Sequence, residues 1–146
     1  MSATITEIRA RILAITATYP GIGTDISSGD TLYDLPAYTC VAGQAVWRKT
    51  SSRRYLVDRT YELWVYVTEI TDPNNEIVVR SAFSDCDPLI AGLVDLFGAS
   101  PRLDLNDSGI VTDTQDIGDS GPAQTPLRGK TYSGFRLLIP TTVYAP

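Results

Sequence analysis

A mixed α and β domain is what this sequence predicts, and three observations carry the prediction. A long strand occupies residues 54–70, a second strand occupies 134–143, and stretches of helical period lie before and after the first of them. From Tyr55 the long run alternates. Tyr55, Val57, Tyr61, Leu63, Val65 and Val67 fall on one face, and Asp58, Thr60, Glu62 and Thr68 on the other. That is the period of a half-buried β-strand. Leu56, Trp64 and Tyr66 share the second face. A domain with one core has no use for large aromatics on both sides of a sheet unless something covers the second side.

Size and composition agree with one folded unit over residues 1–146. The apolar fraction is 43%, and a chain of this length buries roughly 70% of its unfolded surface around a single core. The net charge of −5 argues against a surface that neutralises phosphates, though not against a wall that DNA slides past. Cys40 and Cys86 stand far apart and belong to no CxxC motif, so both are expected to be buried thiols. No basic-then-apolar leader and no apolar run of about 18 residues is present, so synthesis and folding are expected in a cytoplasm.

The elements follow in order. Ile5, Ile8, Ile12 and Ile15 form one helical stripe, and Thr4 with Glu7 has capping-box spacing, so a helix starts there and ends at Tyr19-Pro20-Gly21. Residues 22–34, rich in Gly, Ser, Asp and Thr, read as a surface loop. Residues 35–41 read as a short strand with Pro36 near its start, Gly43-Gln44 as a turn, and 45–49 as the opening of another strand. Thr50-Ser51-Ser52 then turns into the long strand as a hairpin.

Asp72-Pro73-Asn74-Asn75 breaks the chain, after which Val79, Phe83, Cys86, Ile90, Leu93 and Phe97 recur at helical intervals. Pro88 inside that pattern predicts a break or kink at Asp87, and Gly98 a C-cap. Residues 104–130 read as a long polar loop, with short strands conceivable at 103–105 and 110–117. The acidic part, 104–119, has few apolar residues with which to pack itself. It is expected to be mobile in the free subunit and to touch a partner or line a channel. In the last strand Phe135, Leu137, Ile139, Thr141 and Val143 alternate with Gly134, Arg136, Leu138, Pro140 and Thr142, and Pro140 predicts an edge or a bulge.

Chemistry is hard to find. The chain has no histidine, no serine in a nucleophile elbow, and Gly21-Ile22-Gly23 follows a helix where a dinucleotide fingerprint follows a strand. Asp104-Leu105-Asn106-Asp107-Ser108-Gly109 resembles the first half of a calcium loop, but Gln115 stands where the bidentate glutamate belongs, so a solvated turn is the expectation. Asp113, Asp116 and Asp119 read as solvated charges, and Lys49, Arg53 and Arg54 as a solvated hairpin tip. No catalysis, no cofactor and no metal are expected.

Three segments carry a family resemblance: Leu35-Pro36-Ala37 entering a strand, the aromatic strand Tyr61-Glu62-Leu63-Trp64-Val65-Tyr66-Val67, and the ending Tyr132-Ser133-Gly134-Phe135-Arg136-Leu137-Leu138-Ile139-Pro140. With the order of elements they resemble the tail terminator (tail completion) proteins of long-tailed phages over nearly the whole chain. The resemblance rests on order and texture, with no invariant motif. It implies an α+β fold, a mostly antiparallel β-sheet with two main helices packed on one face, and no catalysis. It also implies a six-fold homo-oligomeric ring that terminates the tail tube and presents a surface to the head–tail connector or stopper. Expected partners are then further copies of the chain, the tail tube protein, the connector, and genomic DNA passing through unbound; no membrane is involved. The protein would reside in the virion neck or tail, assembled in the host cytoplasm. Leu56, Trp64, Tyr66 and Arg136 are the expected oligomer interface. A head-completion or connector adaptor of the neck is the alternative, and a small ligand-binding module or enzyme the alternative from another class.

Overall fold

A computed structural model describes residues 3–28, 34–50, 53–103, 105 and 116–145. The capping box works as its spacing requires: Thr4 Oγ1 accepts from the Glu7 amide at 3.1 Å and opens helix α1 (Ile5–Ala17). Ile8, Ile12 and Ile15 are buried, while Ile5, one turn earlier, is 46% exposed. A single 3-10 turn (Ile26–Ser28) lies in the connection to β1 (Ala37–Lys49), which a hairpin joins to β2 (Tyr55–Glu69). Then follow α2 (Glu76–Ser84), α3 (Cys86–Gly98), β3 (Gly118–Asp119), β4 (Ala123–Leu127) and β5 (Lys130–Tyr144).

The strands form one antiparallel sheet in the order β1-β2-β5-β3, with β4 also paired to β5. The helices cover one face, so the fold is α+β as predicted. Ile8, Ile12 and Ile15 of α1 and Leu89, Leu93 and Phe97 of α3 share a core with Val57, Tyr61, Leu63 and Val65 of β2 and with Phe135, Leu137 and Ile139 of β5. The two long strands thus point their predicted apolar faces at the helices. Where Pro140 falls, β5 pairs with β2 on one side, and no described strand lies on the other.

Three expectations need correction. Residues 35–49 do not form two strands around a turn: β1 is continuous, and Gly43-Gln44 is a bulge between the pairs Ala42↔Tyr61 and Ala45↔Arg59. Glycine is required there because a Cβ on residue 43 would meet the Thr60 carbonyl oxygen at 2.4 Å. The helical break falls at Asp85, not Asp87, which places Pro88 in the first turn of α3, where its missing N–H is harmless. Finally, the polar loop predicted over 104–130 contains two strands. β4 turns back onto β5 through Arg128 and Gly129, both at positive φ, the backbone of a two-residue hairpin. Position 104 and positions 106–115, with most of the calcium-like stretch and Asp113, lie outside the described residues, as do Ser51 and Ser52.

Cys40 and Cys86 are free and buried. Burial pushes the Cys40 thiol up to about 12 and raises that of Cys86. A water-soluble thiol reagent at mildly alkaline pH should therefore leave the folded protein unmodified and label both cysteines after denaturation. Fast labelling of the native protein would contradict this packing.

Candidate interaction surface

The four residues expected at an interface all lie on the sheet face opposite α1 and α3, but they do not form one patch. Trp64 and Arg136 are register partners on β2 and β5. The Arg136 guanidinium stacks 5.3 Å from the centre of the Trp64 ring, and its Nη1 donates to Glu62 Oε1 at 2.7 Å. Tyr66 is not surface. Only 7% exposed, it meets Tyr132 edge to face with centroids 6.2 Å apart and shares a small second core with Ala37. Ile26, Trp64 and Leu127 pack against that core, so the 3-10 turn and β4 supply the cover that the aromatic face demanded. Leu56 is half-buried at the other end of β2, eight residues or roughly 26 Å from Trp64.

Trp64 also has an unmet need. Its indole N–H is buried and has no hydrogen-bond partner among the described residues. It stands beside a cleft of ≈ 430 Å³ lined by Ser120, Gln124, Thr125, Pro126 and Arg136.

Nearer the hairpin tip the same face carries an ion pair. Arg48 donates from Nε and Nη2 to the Asp58 carboxylate, which also accepts from Thr142 Oγ1. These hydrogen bonds, Arg48's first and Thr142's second, hold the Asp58 carboxyl below its ordinary value of 3.8. A carboxyl that titrates lower when folded adds stability above its unfolded value and loses it as pH falls through the folded value. Asp58→Asn should therefore flatten the stability curve below about pH 4 and leave its shape near neutrality unchanged. The effect should be small because both partners are open to solvent. Urea melts of both proteins over that range check it, and an acid limb identical in the two would contradict the pairing.

Among the described residues the most exposed aromatic surface lies elsewhere, on Trp47, which the sequence did not single out, and on Tyr55, which alternation placed on the apolar face of the long strand. Burial fades along β1, and residues 46–49 are all exposed. Val46 is 65% exposed on the face away from the helices; Trp47, 53% exposed, lies on the helix side, opposite Val57 in register. Trp47 meets Tyr55 edge to face at 6.0 Å, and Tyr55 is itself exposed. We term this distal part of the hairpin the arm; its β1 strand is the sheet edge, and its β2 strand stays paired with β5 as far as Leu56↔Tyr144. Under it, against the first turn of α1, runs a groove of ≈ 370 Å³ lined by Ile5, Thr6, Trp47, Val57, Arg59 and Val143. Arg59 is fixed in the wall by a 2.8 Å bond from Nη1 to the Gly43 carbonyl.

The predicted basic cluster crowns the arm. Lys49, Arg53 and Arg54 are exposed, and Arg54 stacks 4.6 Å from the centre of the Tyr144 ring. At the other end of β2, past the Asp72-Pro73-Asn74-Asn75 turn, Ile77 in the first turn of α2 is 79% exposed beside Glu76. Among the described residues no group of three or more His, Cys, Asp or Glu is placed to hold a metal ion, and no helix is long and apolar enough to cross a membrane. No protein-family model matches the chain, and no curated protein matches its sequence.

Proposed function

We propose that this protein is a structural part of a tailed-phage particle. It assembles into a closed ring of identical copies that ends the tail tube and joins it to the head connector. One observation carries the reading: at the distal end of the β1–β2 hairpin the large apolar residues Trp47 and Tyr55, and Val46 on the other face, remain in water. Exposed apolar surface gathered at one polar-rimmed end of a domain is what protein–protein contact uses. Trp and Tyr are the residues most often found to anchor such contacts. The order of elements and the long aromatic strand support the phage setting through the family resemblance. The chain's net charge of −5 suits a ring through which DNA passes without sticking.

Electron microscopy of purified tail tubes incubated with the protein tests the role. Tube ends should acquire a cap and stop growing. Tubes that keep elongating with bare ends would contradict the terminator role.

A further inference from the structure

We propose that the groove under the arm binds a small monocarboxylic acid with an apolar body, its carboxylate held by Arg59 and Tyr61 and its body lying between Ile5, Trp47, Val57 and Val143. Two groups in the wall carry the inference. Tyr61 lines the groove and is only 1% exposed, yet its hydroxyl makes no hydrogen bond to a described residue. A hydroxyl on so buried a side chain ordinarily has a partner, because leaving water without one costs free energy. Burial pushes this hydroxyl up to about 12, against the lowering pull of the Arg59 guanidinium, so at neutral pH it is a donor.

Arg59 is the second group. It lies two residues before Tyr61 on the same face of β2, roughly 7 Å along the strand. Its Nη1 is engaged by the Gly43 carbonyl, but no carboxylate among the described residues pairs with this half-buried guanidinium. A cation drawn partly out of water without a counterion favours binding one, and the guanidinium fork matches a carboxylate. Glu7 stands beside the groove but does not fill that role: it is exposed, and its carboxylate accepts from Thr4 Oγ1 at 3.3 Å. Arg48 and Arg54 belong to the other face of the sheet and add no charge here.

The rest of the wall selects the occupant. Apart from three threonines it is apolar, and its ≈ 370 Å³ falls in the range of small-molecule sites, about 300–1,000 Å³. One guanidinium balances one negative charge, so a phosphate dianion would bring a second, uncompensated charge against apolar walls, with Glu7 repelling it at the side. The first turn of α1, which supplies Ile5 and Thr6, favours an anion through its unsatisfied N–H groups. A polypeptide would bring backbone N–H and C=O groups of its own, whereas Thr4 and Thr141 are already engaged by Glu7 and by the Arg59 carbonyl. An apolar body with a single charged end meets the wall without leaving polar groups unpaired.

Titration with octanoate at neutral pH, followed by calorimetry and by NMR, tests the site. One octanoate should bind per chain and shift the amide signals of Ile5, Val57 and Val143 and the indole signal of Trp47. Octan-1-ol, with the same body and no charge, should bind at least about tenfold more weakly, and octanoate should lose about as much on Tyr61→Phe and on Arg59→Gln. Tyr61→Phe removes a hydroxyl that has no partner in the fold. Without ligand it should therefore melt at or above the wild-type temperature, which a tyrosine kept for structural hydrogen bonding would not do. This variant decides the matter even if Arg59→Gln loosens the bulge at Gly43.

Absence of saturable octanoate binding would overturn the assignment, as would equal affinity for octan-1-ol, unchanged affinity in Tyr61→Phe, or signal shifts confined to other parts of the sheet. An octanoate affinity that falls as protein concentration rises would give the groove to a second copy of the chain and would also overturn it. An acetylated tetrapeptide ending in leucine that binds more tightly than octanoate would give it to the end of a partner chain, with the same consequence.

Discussion

Phe97→Ala is expected to destabilise the protein by about 3–5 kcal/mol, the usual cost of deleting a buried aromatic ring and leaving a cavity. Phe97 is 0% exposed in the last turn of α3, in the core that joins both main helices to the sheet. Domains are stable by only about 5–15 kcal/mol, so the variant should unfold at a much lower urea concentration and leave a measurable unfolded fraction without denaturant. The denaturation midpoint and slope of the two proteins check this. A midpoint within error of wild type would mean that α3 does not seal the core as described.

Gly43→Val is the second large effect, and it tests the arm. A Cβ at this position would sit 2.4 Å from the Thr60 carbonyl oxygen, a backbone atom that cannot move unless β1 lifts from β2. The bulge would open, and Arg59 would lose the carbonyl that fixes it in the groove wall. Overpacking of this kind costs about 1–3 kcal/mol. The loss should concentrate in the distal half of β1, because this edge strand is held by β2 alone while β2 is paired with β5 along its length. Hydrogen exchange should quicken most at residues 45–49 and stay slow at 63–66. Unchanged exchange in the arm would contradict the close approach at Gly43.

What could be read from the sequence was what is decided locally or by period. The Thr4 cap and the Ile8, Ile12 and Ile15 stripe depend on neighbours within a turn or two. The inward faces of β2 and β5 follow from strict alternation. Misreadings arose where pairing overrides composition. Gly43-Gln44 looks like a turn because a bulge asks for the same small residue. β4, with Gln124, Thr125 and Pro126 at its centre, has no apolar pattern of its own and exists because β5 offers it a partner. Its turn was hidden because Arg128 takes a positive φ that sequence reading expects of glycine or asparagine.

The candidate surface was harder to read, and for a related reason. Alternation assigned Trp64 and Tyr66 to the outer face, yet what covers Tyr66 comes from Tyr132 and Ile26, far along the chain. The contrary error hid Trp47 and Ile77. Each looks like an ordinary apolar residue of a strand or a helix until one knows where the helical layer stops. Hairpin register could have flagged Trp47, since it sits opposite Val57 beyond the bulge; for Ile77 the nearest signal was its position directly after a capping Asn75 and Glu76.

Ring formation is the claim on which the rest depends, and native mass spectrometry tests it most directly. The purified protein would be measured alone over a range of concentrations and again after mixing with tail tubes. The account predicts one closed species with a fixed whole number of 15.9 kDa copies, six by the family resemblance, and no continuous ladder of larger assemblies. A protein that stays monomeric at every concentration, with and without tubes, would contradict it.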